Sequence, residues 1–259
     1  MITIGADPEL FLADQSGKFI SAINKFGGTK DHPRPMGIGD GFGVLEDNVM
    51  VEFNIPPAMS DRQFSEHIQK ALNAIEGEAK GMGLSLANNA SCRLDADQLA
   101  DWQAFVFGCE PDYCAYTGDK NPRPNTEDDP TFRSAGGHVH IGAGANMSLA
   151  DCCVAVPFCD LFLGIPSVFW DTDTERKKLY GKAGAFRMKP YGFEYRTLSN
   201  FWIFNSTYHT WVYHAAQKAV EMYKSGFDLR PFYADLQEAI NNNNKDVARD
   251  LAKQFNLVI

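Results

Sequence analysis

Two short segments place polar side chains where an apolar strand would be expected: Gly136-Gly137-His138-Val139-His140-Ile141-Gly142 and Tyr191-Gly192-Phe193-Glu194-Tyr195-Arg196. On an extended strand, residues two apart project from the same face. His138 and His140 then share a face, as do Glu194 and Arg196, while Val139 and Tyr195 turn toward the core. Imidazoles bind metals, and a carboxylate beside a permanently charged guanidinium suits a charged reaction chamber. The glycines around the histidines let a ligand come close to the backbone.

The same spacing recurs at Asp7/Glu9 and Glu52/Asn54, and Glu110-Pro111-Asp112 adds another acidic pair. With α-carbons ~6.6 Å apart, such side chains can lean onto one cation or serve two neighbouring ones. Several carboxylates gathered on one face repel one another unless cations sit among them. Glu9, Glu52, Glu110, His138 and Glu194 are therefore the candidate metal ligands. Taken singly, each segment has a plainer reading. Asp7-Pro8-Glu9 could be a turn, Glu194 and Arg196 a surface ion pair, and a strand histidine a hydrogen-bonded core residue. Asp160 reads as a buried acceptor, His209 and His214 as structural, His67 as exposed on a helix, and Arg176-Lys177-Lys178 as a solvated basic face.

The stretch Tyr180-Gly181-Lys182-Ala183-Gly184-Ala185-Phe186-Arg187 combines small residues with two cations, as an anion-binding loop would. It is not a P-loop, because GxxxxGK[ST] is absent, and no GxGxxG stands at a strand–helix junction. GxSxG and HExxH are absent too.

The elements that must position these groups follow from periodicity and punctuation. Ile2–Ile4, Glu9–Leu12, Lys18–Ile23 and Val49–Ile55 read as strands, and the Gly- and Pro-rich run 27–43 as a loop. Ser60 and Gln63 form a capping box, followed by Phe64, Ile68, Ala71, Leu72, Ile75, Ala79 and Met82 at helical spacing, with Gly81 and Gly83 ending the helix. Ala104–Phe107 reads as a strand and Gly118–Pro130 as a surface or lid loop. The apolar segment Leu149–Leu163 is capped by Ser148 and kinked near Pro157. Helices fill Thr207–Lys224, Leu229–Ile240 and Asp246–Phe255. Without an internal repeat or a clear boundary, one α+β domain is expected, with 206–259 as its helical C-terminal portion.

Composition is that of a globular chain, with 44% hydrophobic and 22% charged residues. A formal net charge of −9 argues against a nucleic-acid or anionic-membrane surface. No basic region followed by a long apolar run opens the chain, so no signal peptide is expected. Leu149 to Trp170 is interrupted by Asp151, Pro157, Asp160 and Pro166, and reads as buried and not as a membrane span. The 6 cysteines form no CxxC pair and fit reduced thiols in a cytoplasmic protein.

Taken together, the segments resemble the phage-associated type 2 COOH–NH2 ligases (amidoligases) of the glutamine synthetase and glutamate–cysteine ligase superfamily. The resemblance runs through Gly5-Ala6-Asp7-Pro8-Glu9, Gly27-Gly28-Thr29-Lys30, Glu46–Asn54, Gly108–Asp112, Arg133–Gly142 and Tyr180–Asn200, covering residues 1–205. It implies a curved antiparallel sheet with helices on one side and an ATP-dependent reaction. In that reaction a carboxylate, activated as an acyl phosphate, is joined to an amine. By the same resemblance His138 and Glu194 bind Mg²⁺ or Mn²⁺, His140 lies near the transferred phosphate, and Arg187 and Arg196 contact phosphate. Glu9, Glu52 and Glu110 supply the remaining metal ligands, and Lys30, Arg133 and Lys182 join the nucleotide site. The E-x-E pair of glutamine synthetase is missing, with Asp7-Pro8-Glu9 and Glu52-Phe53-Asn54 in its place. The partners implied are small-molecule or peptide carboxylates and amines, in a host cytoplasm if the chain is phage-encoded, with a homo-oligomer possible. Two other readings are a metal-dependent amide hydrolase and a catalytically inactive ligase-like interaction protein.

Overall fold

The break at Asp7-Pro8 divides the first extended segment into β1 (Thr3–Ala6) and β2 (Glu9–Ala13), and most of the architecture hangs on it. On one side, the Asp7 and Glu9 amides donate to the His138 and Gly136 carbonyls at 3.4 and 2.9 Å. On the other, the Phe53 and Ile55 amides donate to Pro8 and Ala6. One stretch of backbone thus joins two antiparallel sheets. The computed structural model describes residues 2–106, 112–122, 126–143 and 146–259. Glu110, the Phe107 end of the Ala104–Phe107 run and part of the Gly118–Pro130 loop lie outside them.

In the first sheet β1 pairs with β11 (Val139–Gly142), β11 with β13 (Gly192–Tyr195), β13 with β12 (Ala185–Lys189), and β12 with β9 (Tyr113–Cys114). In the second, β2 pairs with β6 (Met50–Asn54) through Glu9 and Leu10 and with β3 (Phe19–Ile20) and β7 (Ser85–Ala87) farther along. β5 (Gly43–Asp47) and β4 (Arg34–Pro35) extend it beyond β6, and a separate ribbon pairs β8 (Ser91–Arg93) with β10 (Phe132–Ser134).

Helix α1 (Asp61–Gly81) begins as expected, with Ser60 Oγ accepting the Gln63 amide. The Gln63 side chain, however, accepts from the Met59 amide and not from Ser60. Its buried stripe is Phe64, Ile68, Ala71, Ile75 and Ala79, laid against α4 (Ser206–Lys224). Leu72 is only half-buried, and Met82 is exposed beyond the helix end.

α2 (Leu149–Cys159) carries a complete capping box between Ser148 and Asp151. A π-turn at Asp160–Gly164 follows, in which the Ile165 amide reaches back five residues to Asp160, and then α3 (Ile165–Trp170). The irregularity lies between Pro157 and Pro166, neither of which can donate a helical hydrogen bond. The carboxylate of Asp160 accepts the Tyr116 and Tyr195 hydroxyls at 2.8 and 2.7 Å, tying this turn to β13. Leu149–Trp170 is long and apolar enough to cross a membrane by length and composition, and most of it is buried within the fold.

α5 (Tyr233–Asn241) and α6 (Lys245–Gln254) pack on each other and on α3. The main buried cluster runs from Ile4 to Ala252 and includes residues of each of the helices α1 to α6. Val139, Ile141, Phe193 and Tyr195 belong to that cluster, with α2 packed against β12 and β13, so the opposite face of the first sheet is left to polar side chains.

Three elements differ from the sequence reading. Trp102–Phe105 is a 3-10 helix and not a strand, because Asp101 accepts the Gln103 amide and fixes a helical turn. Only Phe19–Ile20 of Lys18–Ile23 pairs as strand, and the 27–43 loop contains β4, whose partner β5 was not anticipated.

Candidate functional site

The strand register assembles the site in rows. Gly5, His140, Glu194 and Arg187 stand side by side across β1, β11, β13 and β12. Residues two farther along, namely Asp7, His138, Arg196 and Lys189, share the same face by strand alternation. Gly5 contributes no side chain to this row, and His140 fills the space above it.

Glu194 is fully buried and meets three cations: Arg196 directly, Lys189 at 3.1 Å and Arg187 at 3.4 Å. Burial opposes its charge, but Arg196 and then Arg187 outweigh burial and hold the carboxyl well below the usual range. Asp7 Oδ2 lies 2.9 Å from His140 Nε2, and Asp7 Oδ1 lies 3.5 Å from His138 Nδ1. Burial likewise works against ionised Asp7, and the charge of His140 prevails and lowers its pKa. His140 is raised by Asp7 in spite of burial, whereas burial and Arg196 push His138 down to about 4, leaving a neutral imidazole. Tyr191 Oη sits 2.6 Å from His140 Nδ1 and sets the orientation of that ring.

A second acidic group lies across β2, β6 and β5. Glu9 and Glu52 are direct cross-strand partners, and Asp47 joins them. Burial and the charge of Asp47 raise Glu9 to about 7; burial and the charges of Asp7, Asp47 and Glu9 raise Glu52 well above a normal carboxylate. Glu9 Oε2 accepts the Gly136 amide at 2.6 Å, and Lys30 Nζ pairs with Asp47 at 2.8 Å.

Asp7, His138 and His140 of the first group and all of the second face one cavity of about 230 Å³, walled also by Lys30, Arg187, Lys189 and Arg196. A smaller cavity of about 30 Å³ adjoins it, sharing Glu9, Lys30, Asp47, His138 and Arg196 and reaching Arg176 and Tyr180.

Among the described residues, two places offer a metal three ligand atoms within 4.8 Å of one another: Asp7 with His140 and Glu194, and Glu9 with Asp47 and Glu52. Asp7 Oδ1 is buried without a hydrogen-bond partner, and His140 Nε2 has only its ion-pair approach to Asp7 Oδ2, an arrangement a bound cation would relieve. All-oxygen donors suit Mg²⁺, and oxygen with one imidazole suits Mn²⁺. The residues present fit divalent ions.

Of the residues singled out in the sequence, Glu9, Glu52, His138, His140, Lys30, Arg187 and Arg196 line the main cavity, and Glu194 is buried beneath Arg196, Arg187 and Lys189, which do. His140, and not His138, stands in the trio with Asp7 and Glu194. Arg133 lines only the smaller cavity, where its guanidinium donates to Asn48 and to the carbonyls of Ala104, Pro130 and Phe132. Lys182 is exposed and lines neither cavity; its carbonyl accepts the Thr197 hydroxyl. Arg176 is not solvated but buried. Sequence reasoning gave no role to Asp7, Asp47, Lys189 or Tyr191. Asp7 and Lys189 do carry a signal, since each stands two residues from a residue already singled out.

Residues 130–258 match the family model of the phage phiEco32-like COOH.NH2 ligase, type 2. Over those residues the chain is similar to that family. The matched residues take in the His138 and Glu194 strands and extend through α4, α5 and α6, which the motif resemblance had not covered. The strands carrying Asp7, Glu9, Asp47 and Glu52 precede it. No curated protein matches the chain.

Proposed function

We propose that the protein is an ATP-dependent carboxylate–amine ligase of the glutamine synthetase-like type, acting in the cytoplasm on small-molecule or peptide substrates. One observation carries the reading: Asp7 and His140 of one ligand trio, all three acids of the other, and the cations Arg187, Lys189, Arg196 and Lys30 face a single cavity. Acids alone would suit a metal store, and cations alone an anion trap. Both together suit the polyphosphate of a nucleotide with its divalent ions.

A carboxylate is a poor electrophile because attack would have to expel oxide. Attack of its oxygen on the terminal phosphorus of ATP forms the C–O–P link and releases ADP. An amine then attacks the acyl carbon, phosphate departs with the bonding pair, and the amine's surplus proton is lost. The protein's work is positioning and charge neutralisation. Arg187 and Arg196, braced by Glu194, would meet the oxygens of the phosphoryl group in flight, and Lys30 and Lys189 would hold the ends of the chain. Tyr191 fixes His140, and the neutral imidazole of His138 can accept a hydrogen bond without adding charge. Divalent ions at the two trios would screen phosphate oxygens from the carboxylates.

The test is to incubate the protein with ATP, Mg²⁺ and pools of amino acids and polyamines. ADP release that needs both a carboxylate and an amine supports the reading; AMP release, or nucleotide-independent amide cleavage, contradicts it.

A further inference from the structure

Arg176 occupies a basic run that reads as solvated, yet it is 3% exposed. Its Nη1 donates to the Thr197 carbonyl at 2.9 Å and its Nη2 to the Arg196 carbonyl at 3.2 Å, while Nε has no partner. Among the described residues no carboxylate lies within ion-pair distance of it; burial depresses its pKa, and Glu9 and Asp171 act on it only through space. Arginine is seldom buried unpaired, because two neutral carbonyls do not compensate a desolvated charge.

The fold makes specific room for this group. Gly181 adopts φ +78°, and a side chain there would collide with Arg176 Nη1. The Asp173 carboxylate accepts the Arg176 and Glu175 amides and pins the turn from behind. The guanidinium so held is part of the wall of the smaller cavity, beside Tyr180 and the cations Lys30 and Arg196, with Glu9 and Asp47 on the wall it shares with the main cavity. A brace between two carbonyls explains Nη1 and Nη2. It leaves Nε and the second Nη2 hydrogen, the edge that takes an oxyanion by two parallel bonds.

We propose that Arg176 forms a subsite for a second anionic group on the substrate, a carboxylate or phosphoryl oxyanion distinct from the group being ligated. The carboxylate substrate is then at least doubly anionic. The subsite as a feature of a substrate rests on the ligase reading; anion binding by Arg176 does not.

The experiment is calorimetric titration of the intact protein with malonate, succinate, glutarate, inorganic phosphate and acetate, with Mg²⁺–ADP titrated separately. Wild type should bind one of the dicarboxylates or phosphate at least ~tenfold more tightly than acetate, the worth of one charge-assisted contact. Arg176→Gln should erase that preference and leave Mg²⁺–ADP affinity unchanged. Which probe is preferred tells carboxylate from phosphoryl recognition. Should Arg176→Gln fail to fold, Arg176→Lys keeps the charge without the forked edge and should lose most of the preference. No preference in wild type, a preference that survives both variants, or an equal loss of ADP affinity overturns the proposal. Because the titrations need no turnover, a protein that shows the preference but releases no ADP sinks the ligase reading and leaves the subsite standing.

Discussion

Glu9 and Glu52 stand directly opposite each other in the register of β2 and β6, both buried, with Asp47 beside them. Sheets ordinarily avoid like charges at paired positions, since the repulsion destabilises the pair. Lys30 bonds Asp47 and leaves the opposed glutamates to share one proton or one cation. Such an arrangement stores a preference for a bound ion in the strand pairing itself.

Glu52→Gln should therefore act with opposite signs on stability and activity. In chelator, relief of repulsion is expected to raise the Tm by about 2–4 °C, the shift that ~1 kcal/mol gives in a chain of this size. In saturating Mg²⁺ the variant should lose the metal-dependent stabilisation and about 10²–10³ in turnover. Paired thermal melts with chelator and Mg²⁺, beside an ADP-release assay, check both signs.

The pH dependence follows from Glu9, whose pKa is raised from 4.5 to about 7 by burial and by Asp47. The folded metal-free protein holds a proton that the unfolded chain has lost, so its stability falls as pH rises between about 4.5 and 7. A divalent ion needs the carboxylate, so Mg²⁺ affinity should climb about tenfold per pH unit over that window and level off above it. Calorimetry in two buffers of different ionisation enthalpy should count at least about one proton released per ion at pH 6, from the Glu9–Glu52 pair. Affinity independent of pH would contradict the assignment.

Arg196→Ala is expected to lower turnover by about 10²–10³ while the fold persists. Removing one partner of a buried pair is ordinarily costly, but Lys189 and Arg187 remain on Glu194. Circular dichroism with the ADP-release assay separates the two effects, and full activity in the variant would contradict the role.

Tyr191→Phe removes a hydroxyl 2.6 Å from His140 Nδ1 and frees the ring to turn. Partners that orient a metal-binding histidine contribute about 10–100-fold to metal affinity or activity. The loss should appear as weaker Mn²⁺ binding in titrations followed by electron paramagnetic resonance, with little change in melting temperature.

Much of the site was legible because strand periodicity alone places Glu9, Glu52, His138, His140, Glu194 and Arg196 on common faces. Their convergence depends on which strands pair, and period-2 reasoning within one strand does not reveal that. Asp47 was hidden for this reason: β5 went unrecognised, so its register opposite β6 could not be drawn. Asp7 shares the spacing of Glu9 but fits a Pro8 turn as well, and only the structure shows that the break there keeps its side chain on the working face. Arg176 and Lys182 exchanged expectations. Loop cations look alike in sequence, and only the backbone path, here the positive-φ Gly181, decides which one turns inward. The α+β class and the long helices came through from capping and apolar spacing, whereas the short run at Trp102–Phe105 was too brief for its periodicity to distinguish strand from helical turn.

The most direct measurement follows oxygen. Once an active pair is found, the carboxylate substrate is prepared with ¹⁸O and the released phosphate analysed by mass spectrometry. Transfer of one labelled oxygen from the carboxylate to phosphate, with ADP as co-product, is the outcome an acyl-phosphate ligase requires. Unlabelled phosphate, or label arriving in AMP, would contradict it.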